Sequence, residues 1–109
     1  SADEKFLSQA IKIVEDYIEK EGFSVQDLVK ELGLSRTLVF EKFKALIGQT
    51  PNEFIQTIRL KRAAQLIQES DLKISEIAYM VGFSDPKYFS KTFQKQFGTS
   101  PSKYKSLYV

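Results

Sequence analysis

The sequence predicts an all-α fold of two helix-turn-helix lobes joined by a long central helix, and three observations carry that expectation. Residues 51–69, PNEFIQTIRLKRAAQLIQE, read as one continuous amphipathic helix. The stretches on either side of it repeat each other at an offset of 49 to 50 residues. Both repeats contain a glycine, a hydrophobe and a serine in succession, Gly33-Leu34-Ser35 and Gly82-Phe83-Ser84, between a short and a longer apolar-faced segment. About seven helices follow, arranged as a first lobe over residues 3–50, a connecting helix over 51–69 and a second lobe over 70–109.

Ser1 and Ala2 receive no role in this reading. From Asp3 a stripe of Phe6, Leu7, Ala10, Ile11, Val14, Tyr17 and Ile18 marks a first helix that should end near Gly22. Asp3 and Glu4 suit its positive N-terminus, whereas Glu15, Asp16, Glu19 and Glu21 would repel phosphate, which makes it a support helix turned away from any polyanion. Ser24 with Asp27 forms a capping box for the second helix, whose inward side is Val25, Leu28, Val29 and Leu32. Gly33 ends it, Leu34 plugs the corner, and Ser35 caps a third helix from Arg36 to about Ile47 with Val39, Phe43, Leu46 and Ile47 inward.

Thr50, Pro51 and Glu53 then open the central helix, which buries Phe54, Ile55, Ile58, Ala63, Leu66 and Ile67. At ~1.5 Å per residue this strut is on the order of 28 Å long, near the ~34 Å of one DNA turn, and should hold what it separates at a fixed spacing. Ile74, Ile77, Ala78 and Val81 face inward from the next short helix. An outer helix follows from Asp85-Pro86 on a spine of Phe89, Phe93 and Phe97 with Tyr88 beside it, and Ser100-Pro101 opens a last short helix. Two copies are too few for a solenoid and form a pseudo-symmetric pair.

Bulk properties narrow the function. The 109 residues are 42% hydrophobic and include nine Phe and five Tyr, enough for one domain with a genuine core. No apolar run approaches the ~18 residues of a membrane span, nothing resembles a signal peptide, and the fragment should be soluble without membrane contact. Cys and His are both absent, which removes thiolate chemistry, disulfides and the commonest metal ligand and general base. No metal, cofactor or small-molecule ligand is expected, and an enzyme is a distant possibility. The net charge of +2 conceals −4 over residues 1–32 and +6 over residues 33–109, so the C-terminal side is the one suited to a polyanion.

The outward helix faces carry the candidate contacts. Thr37, Phe40, Glu41 and Lys44 lie opposite the apolar spine of the third helix, and an offset of 50 places Lys87, Ser90, Lys91 and Gln94 in the same positions of the sixth. On a helix-turn-helix such a face enters a major groove, where Lys can donate to guanine and Ser or Gln can serve several base edges. Each lysine has an alternative as a solvated or phosphate-bound side chain. Phe40 either packs sideways within the lobe or meets a thymine methyl, and Glu41 either accepts from cytosine N4 or pairs with Lys42 or Lys44. Ser35, Arg36, Ser84 and Asp85 stand at helix N-termini that can bind a phosphate. Lys42, Arg59, Arg62, Lys95, Lys103 and Tyr104 can reach a DNA backbone without reading sequence. A rival reading is a helical protein-interaction module, which would bind its partner without salt sensitivity and ignore DNA.

The residues also resemble a known family. IRLKRAAQLI at 58–67, Ile74-Ser-Glu-Ile-Ala78, Val81-Gly-Phe-Ser-Asp-Pro-Lys-Tyr-Phe89, Phe93, Phe97-Gly98 and Pro101 resemble the DNA-binding domain of AraC-type transcriptional regulators. SRTLVFEKFKALIGQTPNEFI looks in addition like the output domains of hybrid two-component regulators. The resemblance implies binding to asymmetric duplex DNA, the two outer helices entering successive major-groove segments. It implies base contact at Thr37 and Glu41 and at Pro86, Lys87 and Lys91. Two positions depart from the family pattern: Glu41 stands where Arg is frequent, and Pro86 has no side-chain donor. Sensing and dimerisation are implied to reside elsewhere in a longer protein. A cytoplasmic location is implied too, on the cytoplasmic side if that protein is a membrane-bound hybrid.

Overall fold

A computed structural model describes residues 1–108 and contains seven helices and no strand among them. In chain order these are α1 (Ala2–Asp16), α2 (Val25–Leu32), α3 (Arg36–Ile47), α4 (Pro51–Glu69), α5 (Ile74–Met80), α6 (Pro86–Phe97) and α7 (Pro101–Tyr108). The all-α expectation and the helix count hold. Two compact units share them: Ser1–Tyr17 with Gly22–Ile58, and Ile18–Glu21 with the chain from Arg59 onward.

In the first unit the helix starts are fixed by the residues the sequence offers for them. Ser24 accepts from the Asp27 amide while Asp27 Oδ2 accepts from the Ser24 amide at 2.9 Å. Thr50 and Glu53 make the same reciprocal pair at the start of α4, at 2.9 and 3.1 Å. Each box occupies backbone donors that would otherwise be unsatisfied. Ser1, given no role above, caps α1 by accepting from the Glu4 amide at 3.2 Å. The core joins Phe6, Ala10 and Val14 of α1 to Leu28, Leu32, Val39, Phe43, Phe54 and Ile55. Phe43 is its centre, with Phe6 edge-on at 5.2 Å and Phe54 at 4.7 Å. Burying such a ring contributes ~1.5–3 kcal/mol from area alone.

The first helix is shorter than its apolar stripe suggests. It stops at Asp16, because Tyr17 turns to stack on Phe23 at 5.0 Å and donates its hydroxyl to Glu31 at 2.8 Å. Ile11 and Tyr17 stay exposed, as does Ile47 at the end of α3. The hydrogen bond to Glu31, reinforced by that carboxylate's charge, raises the Tyr17 phenol above its ordinary value of 10.0. The stability this bond adds is full below the unfolded phenol value and is lost as pH rises through the raised folded value. The tyrosine removed by Tyr17→Phe should therefore be one that ionises above 10.0 in an ultraviolet titration; ionisation at or below it would contradict the Tyr17–Glu31 bond.

The second unit is built on a chain of aromatic rings. Phe83, Phe89 and Phe93 succeed one another at 5.1 and 5.7 Å, and Phe93 then meets Phe97 at 4.5 Å and Tyr104 edge-on at 5.3 Å. Ile77, Ala78 and Val81 of α5 pack on it together with Leu60, Ala63, Ala64 and Ile67 of α4. Leu60 and Ala64 are buried although they lie outside the stripe read from the sequence. The segment Ile18–Glu21 belongs to this unit, and Ile18 packs on its core. Gly82, at φ +96°, makes that possible: a β-carbon there would lie 2.5 Å from the Ile18 carbonyl oxygen and 2.8 Å from Arg59 Nε.

Candidate nucleic-acid interface

Each unit holds its outer helix by apolar residues on one face and leaves the opposite face open. In the first, Val39 and Phe43 anchor α3, and Ser35 starts it by accepting from the Leu38 amide at 3.2 Å. Thr37, Glu41 and Lys44 are exposed on the other side and Phe40 is half-buried. The Arg36 guanidinium lies over the Phe40 ring, 4.6 Å from its centroid. This contact favours a planar cation on the ring and keeps both groups at the same edge of the helix. Glu41 makes no ion pair among the described residues, and Phe40, Glu41 and Lys44 border a half-open cleft of about 340 Å³ closed by Gly48, Gln49 and Glu53. Lys42 points elsewhere: its ammonium is 4.0 Å from Asp3 and 5.3 Å from the Phe6 ring, engaged with α1.

In the second unit Phe89 and Phe93 anchor α6, and Asp85 caps it by accepting from the Lys87 amide at 3.0 Å with Pro86 next in the chain. A carboxylate already occupies the end of this helix, so a phosphate approaching it meets a like charge. Lys87, Lys91, Gln94 and Lys95 are exposed along the helix, Pro86 and Ser90 are half-buried, and Ser84 is exposed just before it. Three lysines on one helix, with no acid after its cap, make α6 the more cationic of the two outer helices. On α3, by contrast, Glu41 offsets Lys44.

The remaining candidates divide by what they touch. Arg62 is exposed, with one guanidinium nitrogen donating to Gln65 at 3.1 Å, and Lys103 is exposed on α7. Arg59 is drawn inward: it donates to the Lys20 carbonyl at 3.1 Å and lies against Gly82, and burial lowers its pKa. Tyr104 is mainly a core ring between Phe93, Phe97 and Tyr108, with its hydroxyl accepting from Gln68 at 3.4 Å. Tyr88, which the sequence placed beside the aromatic spine but not among the candidate contacts, is 48% exposed and leans on Phe83 at 6.2 Å. It stands three residues before Lys91, and that i, i+3 spacing is the signal that places it beside the lysines.

Among the described residues no cluster of His, Cys, Asp or Glu is grouped to hold a metal, and no helix is long and apolar enough to cross a membrane. Two short-helix, turn, longer-helix motifs, each with an exposed polar face on the second helix, define a double helix-turn-helix module. A family model described as a helix-turn-helix domain matches residues 28–106. The chain is 30% identical to a transcriptional regulator with an AraC-type DNA-binding domain from Chromobacterium violaceum, covering 99% of this chain and 96% of that one with a TM-score of 0.90. It belongs to the AraC-type family of helix-turn-helix domains found in transcription regulators.

Two further likenesses are informative. The DNA-binding domain of AdpA, a global transcriptional factor solved in complex with a target DNA, is 27% identical with a TM-score of 0.84 over 94% of this chain and 91% of that one. Histidine kinase P4 of Formosa agariphila is 56% identical over 108 residues, which is 99% of this chain and 8% of that protein. The chain spans between 8% and 37% of the length of the first curated relatives it matches.

Proposed function

We propose that this chain binds duplex DNA sequence-specifically as the output module of a bacterial transcription regulator, with α3 and α6 as its two groove-reading helices. The observation that carries the reading is α6, where Lys87 and Lys91 stand exposed on the face opposite buried Phe89 and Phe93. Their ammonium groups can donate to guanine O6 and N7 in a major groove, with Ser90 and Gln94 beside them for other base edges. On α3 the reading residues are Thr37, Phe40, Glu41 and Lys44. Backbone anchoring falls to Arg36, Arg62, Lys95 and Lys103, whose charges stay at the surface. Ser35 and Ser84 can add contacts at the helix starts. Lys42, Arg59, Asp85 and Tyr104 have less to give, because internal contacts already use them.

The regulator reading is supported by the family and by the complex of the related AdpA domain with its target DNA. The likeness to a small part of histidine kinase P4 supports an output domain of a hybrid two-component protein, working in the cytoplasm, with sensing and dimerisation in other parts of the chain. Site selection from random duplexes by the 109-residue chain tests the core of the proposal. On a selected duplex Lys91→Ala should cost ~1–3 kcal/mol and relax preference at one base pair. Equal losses on every sequence would reduce Lys91 to a phosphate contact, and no enrichment at all would defeat the DNA reading.

A further inference from the structure

We infer that the cleft beside Phe40 makes the first helix-turn-helix a reader of the 5-methyl group of a major-groove pyrimidine, thymine in ordinary DNA. The inference rests on the DNA-binding reading above and adds which chemical group the first outer helix recognises. Phe40 forms one wall of the cleft, and its ring is held in place by the Arg36 guanidinium at 4.6 Å. Of the polar groups around it, Gln49 donates to Thr57 at 3.3 Å and Glu53 accepts from the Thr50 amide at 2.9 Å, while Glu41 and Lys44 stand exposed at the rim. What the cleft offers a visitor is mostly apolar surface.

The occupant follows from its chemistry. Glu41 and Glu53 outnumber Lys44 around the cleft, so the net charge of its lining disfavours a phosphate. Of the groups that base pairs display in the major groove, the C5 methyl of thymine is the apolar one, and a cleft of about 340 Å³ has room for that edge of a pyrimidine. Glu41, an acceptor on the same rim, suits a neighbouring cytosine or adenine amino group and opposes the acceptors of guanine. The second copy has Ser90 where the first has Phe40, so methyl reading belongs to the first lobe alone.

Uracil substitution tests this on the full chain. In a duplex selected from random sequence, each thymine is replaced singly by deoxyuridine, which removes only the methyl group, and dissociation constants are measured. One or two positions should weaken about fourfold, the equivalent of ~0.8 kcal/mol for one buried methyl-sized group. At those positions 5-methylcytosine should bind more tightly than cytosine by a similar factor. Phe40→Ser should abolish both differences and Phe40→Leu should keep them, with helical circular dichroism confirming that each variant folds. Indifference to uracil at every position, or a methyl preference that survives in Phe40→Ser, overturns the inference while leaving DNA binding intact. Failure to enrich any duplex would instead remove the reading beneath it.

Discussion

Gly82→Ala should lower the unfolding free energy by about 2–5 kcal/mol, combining the left-handed backbone penalty with overpacking against a fixed neighbour. The β-carbon would sit 2.5 Å from the Ile18 carbonyl oxygen, a backbone atom that cannot swing away, and 2.8 Å from Arg59 Nε. The Arg59 bond to the Lys20 carbonyl would be disturbed by the same intrusion. Gly33→Ala is the matched control, since Gly33 has φ +68° with nothing within 4 Å of the added carbon. It should cost only about 1–2 kcal/mol. In thermal unfolding the Gly82 variant should fall by roughly 8–40 °C at ~4–8 °C per kcal/mol. Equal losses for the two glycines would mean that the close approach at Gly82 has no energetic weight.

Raising the salt concentration fourfold should weaken binding to a selected duplex by on the order of a hundredfold. The cations left at the surface around the candidate faces are few, with Arg36, Arg62, Lys95 and Lys103 the anchoring set and Lys42 and Arg59 engaged internally. About four phosphate contacts at ~0.9 each give a log-log slope near −3.6, which is the basis of that figure. Base-reading lysines that also graze the backbone would steepen it. A flat response across the same salt range would favour a protein partner over DNA, because buried apolar contacts are not screened in this way.

Much of this fold was legible from local chemistry. Ser24 with Asp27, Thr50 with Glu53, and glycines 33, 48 and 98 mark helix ends through hydrogen bonds and backbone angles that involve only a few consecutive residues. The two outer helices followed from the spacing of Val39 with Phe43 and of Phe89 with Phe93. What escaped was set by distant neighbours. The end of α1 depends on Phe23 and Glu31, which claim Tyr17 from across a turn, and the burial of Leu60 and Ala64 depends on what packs against α4. Among the candidate contacts, Lys87 and Lys91 are exposed, as their places opposite the phenylalanine spine suggested. The diversion of Lys42 to Asp3 and Phe6, and of Arg59 to Lys20, could not be seen without knowing which residues face them. The cleft at Phe40 was similarly hidden, because its far wall comes from the residues that begin α4.

The four residues Ile18–Glu21 are assigned with sequence that begins more than thirty positions later. A ribosome has emitted them long before Gly82 exists to receive them, so that unit cannot be completed until its later helices have been made. Cutting the gene at residue 58 would deliver a C-terminal peptide lacking part of its own wall. Isolated expression of residues 59–109 should yield a poorly packed product, and supplying residues 18–21 by circular permutation is the direct way to restore it.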